Sequence, residues 1–324
     1  MSIEQRAKQA QSLKQQAMRA YDNGDIDDAM ILEKQYLQLR LSVIDEVSQE
    51  VSRQKSKTIK QVKHEVSLRP KVIRRATGID TLDKELIPPH DYGRGKVGGF
   101  ALGNFIQFVG SRGSGKSTLL MRIITNLSLY ESVCWFDFEM GEMRVVDKLS
   151  QFRYNEDNLL YYNASRELSD VIEEIKFLHA MGANHFVIDS TMKLTIKGLD
   201  NIERNSQISS QLSELTSTLG INIYIINQMS QQAEENQVLK IKHGNDVEYD
   251  ADFIFFVLAL PKIENGKSVK DKMGQIVTDD TQRVVKCVKN RQDERLFTVY
   301  IQKSELILKP VMEVEFKIDM PQII

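Results

Sequence analysis

The chain has 324 residues, 41% hydrophobic and 27% charged, with a net charge of −2 at pH 7. That length suits one large domain plus a small one, and the composition is that of a water-soluble globular protein. No apolar run approaches the ~20 residues that span a bilayer, and the first residues, Met1-Ser2-Ile3-Glu4-Gln5-Arg6, form no apolar signal segment. The two cysteines, Cys134 and Cys287, lie in separate apolar runs, so they are expected as reduced core residues of a cytoplasmic protein, with no disulfide or metal site.

Residues 4–21 are rich in Gln, Ala, Lys and Arg and predict a helix. Gly24 is its expected terminator and Asp25 the cap of the next helix, about Ile26 to about Val51. Ile26, Met30, Leu37, Leu41, Ile44 and Val51 recur at helical spacings and predict one buried stripe. A hairpin of two helices has no core of its own and must dock on the core, a neighbouring subunit or a partner. Residues 53–75 carry nine Lys/Arg and one acid, Glu65, and read as a basic linker. They are either a nucleic-acid contact or a solvated connector. From residue 76 onward acids outnumber bases.

The pattern then changes to apolar runs separated by helical segments. Strands are expected at Phe105–Val109, Ser132–Phe138, His185–Asp189, Asn222–Asn227, Asp252–Leu258, Arg283–Val288 and Leu296–Gln302. Helices are expected at about 117–128, 142–152, 167–181 and 203–219. Such alternation implies a mostly parallel sheet with helices on both faces. The last two strands lack an intervening helix and predict an antiparallel hairpin at one edge. Residues 262–281 read as an exposed loop. The expected division is a helical hairpin arm at 1–52, the linker at 53–75, a core at 76–308 and a tail at 309–324.

Gly110-Ser111-Arg112-Gly113-Ser114-Gly115-Lys116-Ser117 fits GxxxxGK[ST] between a predicted strand and a predicted helix. Glycines let backbone N–H groups turn inward around a triphosphate at a helix N-terminus. Residues Gly110 through Thr118 are therefore expected to bind ATP. Lys116 is placed to reach the β- and γ-phosphates and the Ser117 hydroxyl to ligate Mg²⁺. Asp189 closes an apolar strand, where a carboxylate can hold the Mg²⁺ shell. Glu139 follows another core strand, at the edge where open α/β sheets bind ligands. There it can deprotonate water, with Asp137 as the competing candidate. Gln228 ends a third strand and is a candidate γ-phosphate sensor.

Together these residues resemble the RecA-like ATPases, and most closely the DnaB-type replicative helicases of superfamily 4, as a short phage- or plasmid-like member. Ala76-Thr77-Gly78-Ile79-Asp80-Thr81-Leu82-Asp83 is similar to the family's TG-x-x-x-LD lead-in. Phe138-Glu139-Met140 resembles LEM, whose Glu is the catalytic base, and Asn227-Gln228-Met229 resembles the SQL sensor. Asp246 to Asp252 is similar to I-E-Q-D-A-D, and Val288-Lys289-Asn290-Arg291 matches KxR. The resemblance implies a RecA-like fold behind the small helical hairpin. It also implies a homo-hexamer with ATP and Mg²⁺ at each interface, in which Lys289 and Arg291 act on the neighbour's ATP. DNA unwinding in replication follows, with single-stranded DNA against Lys197, Arg204, Lys240 and Lys242. A primase or loader protein is an implied partner. The chain departs from the family in lacking a globular N-terminal domain and in a long stretch at 84–103. The other reading is a RecA- or KaiC-like accessory or recombination/repair ATPase without unwinding activity.

Overall fold

The computed structural model describes residues 1–52, 58–68, 74–87, 98–199, 201–229, 239, 241, 245–264, 267–270 and 277–307. The chain opens with α1 (Ile3–Asn23) and α2 (Ile26–Ser52), followed by α3 (Ile59–Leu68) and α4 (Asp80–Glu85). The core then alternates: β1 (Phe105–Gly110), α5 (Lys116–Ser128), β2 (Val133–Asp137), α6 (Glu142–Leu149), β3 (Leu159–Tyr162), α7 (Leu168–Ala180), β4 (His185–Asp189), α8 (Asn201–Leu219) and β5 (Asn222–Gln228). A helical turn at Asn245–Asp250 leads into β6 (Phe253–Pro261). Two short strands, β7 (Ile263–Glu264) and β8 (Lys267–Ser268), precede β9 (Thr278–Asn290) and β10 (Phe297–Gln302). The described chain closes on the turn Lys303–Leu306.

The eight-stranded sheet has the order β10-β9-β6-β1-β5-β4-β2-β3. The six strands from β6 to β3 run parallel to their neighbours, while β9 and β10 run antiparallel at one edge. Strand β1 is buried at all six positions, as a parallel strand covered on both faces should be. Phe105 and Val109 pack on the α7–α8 side, Ile106 and Phe108 on the α5–α6 side. The edge strand β10 instead alternates, with Val299 and Ile301 buried between exposed residues.

The expected fold class holds, with corrections. Strand β3 was not anticipated; it is four residues long, half-exposed, and sits between two helices. Residues 262–281 are not wholly a loop, because β7 pairs with β8 and β9 begins at Thr278. The basic segment contains a helix, α3, and Arg75 at its end pairs with Glu131 at 2.8 Å.

The α1–α2 hairpin turns at Gly24, whose φ of +84° suits glycine. Ser2 and Gln5 form a reciprocal capping box on α1. Of the expected stripe on α2, Ile44 is buried but Ile26, Met30, Leu37 and Leu41 are not. Ala29, Val43, Ile44 and Val47 are buried, whereas Met30 is 60%, Leu37 45% and Leu41 54% exposed. The small side chains of Ala7, Ala10, Ala17 and Ala29 are buried where the two helices meet. Close approach through alanines turns the long side chains outward. The lower half of α2 docks on α7 of the same chain, with Val43 and Ile44 joining the core cluster of Val171, Ile175 and Phe177. Arg40 pairs with Glu174 at 2.7 Å and lies over the Phe177 ring.

Candidate nucleotide site

The phosphate loop spans the turn from β1 to α5. Gly113 and Gly115 hold φ of +78° and +98°, a region disfavoured for other residues. Gly110 is constrained by space: a Cβ there would lie 2.4 Å from the Val257 carbonyl oxygen. Lys116 is buried, and its Nζ donates to the carbonyls of Gly110 (3.0 Å) and Ser111 (2.7 Å). The ammonium thus folds across the loop. Arg112 and Gly113 are exposed, Ser114 is buried, and Thr118 lies in the first turn of α5.

Ser117 hydrogen-bonds Asp189, which closes β4 at 1% exposure. Burial pushes the Asp189 carboxyl up to about 6; the Ser117 bond opposes this, while Glu139 and Asp137 add to it. Its Oδ2 is buried and has no hydrogen-bond partner among the described residues. An oxygen donor of this kind, beside the Ser117 hydroxyl, fits a hard divalent cation, although among the described residues no three His, Cys, Asp or Glu side chains cluster as a metal site.

Asp137 and Glu139 separate clearly. Strand β2 ends at Asp137 rather than Phe138, so alternation does not extend to Glu139. The Asp137 carboxylate, buried, accepts the backbone N–H groups of Glu139 (3.2 Å), Met140 (2.9 Å) and Gly141 (2.6 Å) and the Tyr161 hydroxyl (2.9 Å). It shapes the loop. Glu139 is exposed, and the Phe138 N–H donates to the Asp189 carbonyl (2.7 Å), tying the two strand ends.

Gln228 pairs in register with Gly110, and the Met229 N–H donates to the Gly110 carbonyl. Its neighbour Asn227 is buried, accepts from the Thr191 hydroxyl (2.6 Å) and donates to Gln107 (3.2 Å). Thr191 and Gln107 had no sequence signal beyond being polar residues beside apolar strands. Arg283 was also missed: its Nε lies 3.3 Å from the place of a Cβ on Gly115, beside a cavity of about 110 Å³ that Thr118 also lines.

The structure does not bring Lys289 and Arg291 to this loop. Lys289 donates to the carbonyls of Glu248 and Tyr249, and Arg291 to that of Tyr249, with Asp252 at 3.6 Å. Burial, then Arg291, lowers the Lys289 pKa. Through β6, Lys289 stands level with Gln107, mid-strand in β1 and three residues short of Gly110. Lys197 lies on an exposed turn after β4 and Arg204 is half-buried on α8. Lys240 and Lys242 lie outside the described residues. Thr77 and Gly78 donate their N–H groups to Asp83, whose carboxyl burial raises. The TG-x-x-x-LD segment is therefore a structural latch. Among the described residues no helix is long and apolar enough to cross a membrane.

No family model matches the sequence, and no curated protein is significantly similar to it. Solved structures are similar in fold. An ATPase domain superposes with a TM-score of 0.59 at 17% identity, over 78% of this chain and 98% of that one. A DnaB-like replicative helicase, described with its interactions with primase, gives 0.58 at 15%, over 85% and 76%. A KaiC-like protein from Pyrococcus horikoshii OT3 gives 0.50 at 15%, over 73% and 97%. The fold is RecA-like, of the kind seen in DnaB-like helicases.

Proposed function

We propose that this chain is an ATP-hydrolysing motor of the DnaB-like helicase kind, acting as a hexamer that translocates on single-stranded DNA in replication. The observation that carries this reading is the convergence at one sheet edge of the Lys116 loop, the Ser117–Asp189 pair and the exposed Glu139 carboxylate. The Gly110–Thr118 backbone and Lys116 hold the triphosphate. Ser117 and Asp189 hold Mg²⁺, which when bound offsets phosphate charge. Glu139 takes the proton of the attacking water. Gln228, linked to Gly110 by register, responds to the γ-phosphate. Lys289 and Arg291 act on a neighbouring subunit's ATP. Lys197, Arg204, Lys240 and Lys242 track the DNA backbone by charge. Residues 76–308 form the motor core, with 1–52, 53–75 and 309–324 as arm, linker and tail. A primase or loader protein is a further partner on this reading.

The test is ATPase activity with and without single-stranded DNA, beside opening of a forked duplex. Stimulation together with ATP-dependent opening is expected, and both should vanish in Lys116→Ala. Hydrolysis without opening sinks the motor reading in favour of an accessory ATPase, the class consistent with the KaiC-like fold neighbour.

A further inference from the structure

Behind the Glu139 loop, on the α5 side of the sheet, lies a cavity that the nucleotide chemistry does not use. Its volume is about 380 Å³, and its walls include Met121, Ile124, Trp135, Val145, Leu149 and Leu159. That size falls in the range of small-molecule sites, roughly 300–1,000 Å³. Two exposed carboxylates, Glu142 and Glu156, stand at it, and no lysine or arginine is among the described lining residues. Trp135, 3% exposed, is part of the apolar wall.

The cavity is connected to the catalytic loop. Tyr161 lines it, and the Tyr161 hydroxyl donates to Asp137 at 2.9 Å. The same carboxylate holds the backbone of Glu139, Met140 and Gly141. Helix α6, which supplies Glu142, Val145 and Leu149, starts where that loop ends. Cavity wall and Glu139 loop therefore share one buried anchor.

We propose that this cavity is a regulatory site for a small hydrophobic cation, with a planar apolar body and an ammonium or amidinium head. The apolar walls take the body, and Glu142 and Glu156 take the head. Occupancy shifts Tyr161 and α6, and through Asp137 the position of Glu139. Turnover changes while ATP binding at the separate phosphate loop does not. The binding claim stands alone; the turnover claim rests on Glu139 as the base.

Trp135 is the chain's one tryptophan, so its emission reports occupancy directly. The probe is 4-phenylbenzylamine, with 4-biphenylacetate as its anionic counterpart, added to the full chain and excited at the red edge of indole absorption. A saturable emission change with the amine, at least about tenfold weaker with the carboxylate, is expected from the charge of the two glutamates. The exposed pair of changes Glu142→Gln and Glu156→Gln should bring the two probes within about threefold. In ATPase assays the amine should alter kcat and leave KM for ATP unchanged. No saturable change, equal affinity for both probes, or a preference that survives the double substitution overturns the site. An emission change without any effect on kcat overturns its regulatory role. If Glu139→Gln proves fully active while the amine still binds, the failure lies in the catalytic assignment and not in the cavity.

Discussion

Asp137 and Glu139 stand two residues apart and do different work. Four hydrogen bonds occupy the buried Asp137 carboxylate, while Glu139 is exposed. Glu139→Gln should retain ATP binding, measured with a fluorescent analogue, and lose turnover by roughly 10²–10⁴-fold. Asp137→Asn should instead loosen the loop and lower thermal stability, by about 1–3 kcal/mol for weakened buried bonds. Normal turnover in Glu139→Gln would reassign the base. A second carboxylate reports on pH. Burial works to raise the Glu131 pKa, but His185 and Arg75 outweigh it and hold it at about 2, below the ordinary 4.5. A depressed acid stabilises the fold above its unfolded pKa. That contribution is present above pH ~4.5 and is lost as pH falls toward ~2. After solvent screening it is roughly 1–2 kcal/mol. Acid titration followed by circular dichroism should show a shallower loss between those values in Glu131→Gln.

At the scale of elements, the arm joins the core through the lower half of α2. Val43 is fully buried against α7, so Val43→Asp places an unpaired charge in an apolar contact and should release the arm. Hydrogen exchange should then rise along α1 and α2 while β1, β4 and β5 stay protected. Leu37→Ser with Leu41→Ser should change stability by no more than about 0.5 kcal/mol each, because both side chains face solvent. A loss of several kcal/mol in thermal unfolding would mean that the upper stripe is covered in solution. Helical spacing made α2 legible but not its inner face. Apolar counting scores leucine and methionine above alanine, whereas close helix packing selects the smaller side chain.

For the whole molecule, the decisive point is where Lys289 and Arg291 lie. Lys289 is level with Gln107, three residues short of Gly110, or about 10 Å at ~3.3 Å per residue, and both side chains reach away toward Asn245–Asp250. They are not placed to serve their own phosphate loop, so any catalytic role is in a neighbour. Arg291→Ala should bind ATP nearly normally and hydrolyse it slowly. Mixing inactive Arg291→Ala with inactive Lys116→Ala subunits should restore part of the ATPase, since each keeps the half-site that the other lacks. Unimpaired hydrolysis by Arg291→Ala alone would reduce both residues to caps on the Glu248 and Tyr249 carbonyls.

What the sequence determined by itself is local chemistry. The glycine spacing, the lysine and hydroxyl at the head of α5 and the acids closing apolar runs are all short-range signals, because strand, loop and helix follow one another directly in the chain. The alternation of apolar runs and helices likewise disclosed a parallel sheet. Strand β3 stayed hidden because four half-exposed residues carry little periodicity. The choice of Glu139 over Asp137 as the exposed carboxylate needed the Tyr161 hydroxyl, which arrives from another strand. Arg283 beside Gly115 and the Thr191–Asn227–Gln107 chain needed strands distant in sequence to become neighbours. Only the tertiary structure decided these, because they depend on which side chains meet across the sheet and not on what precedes or follows them.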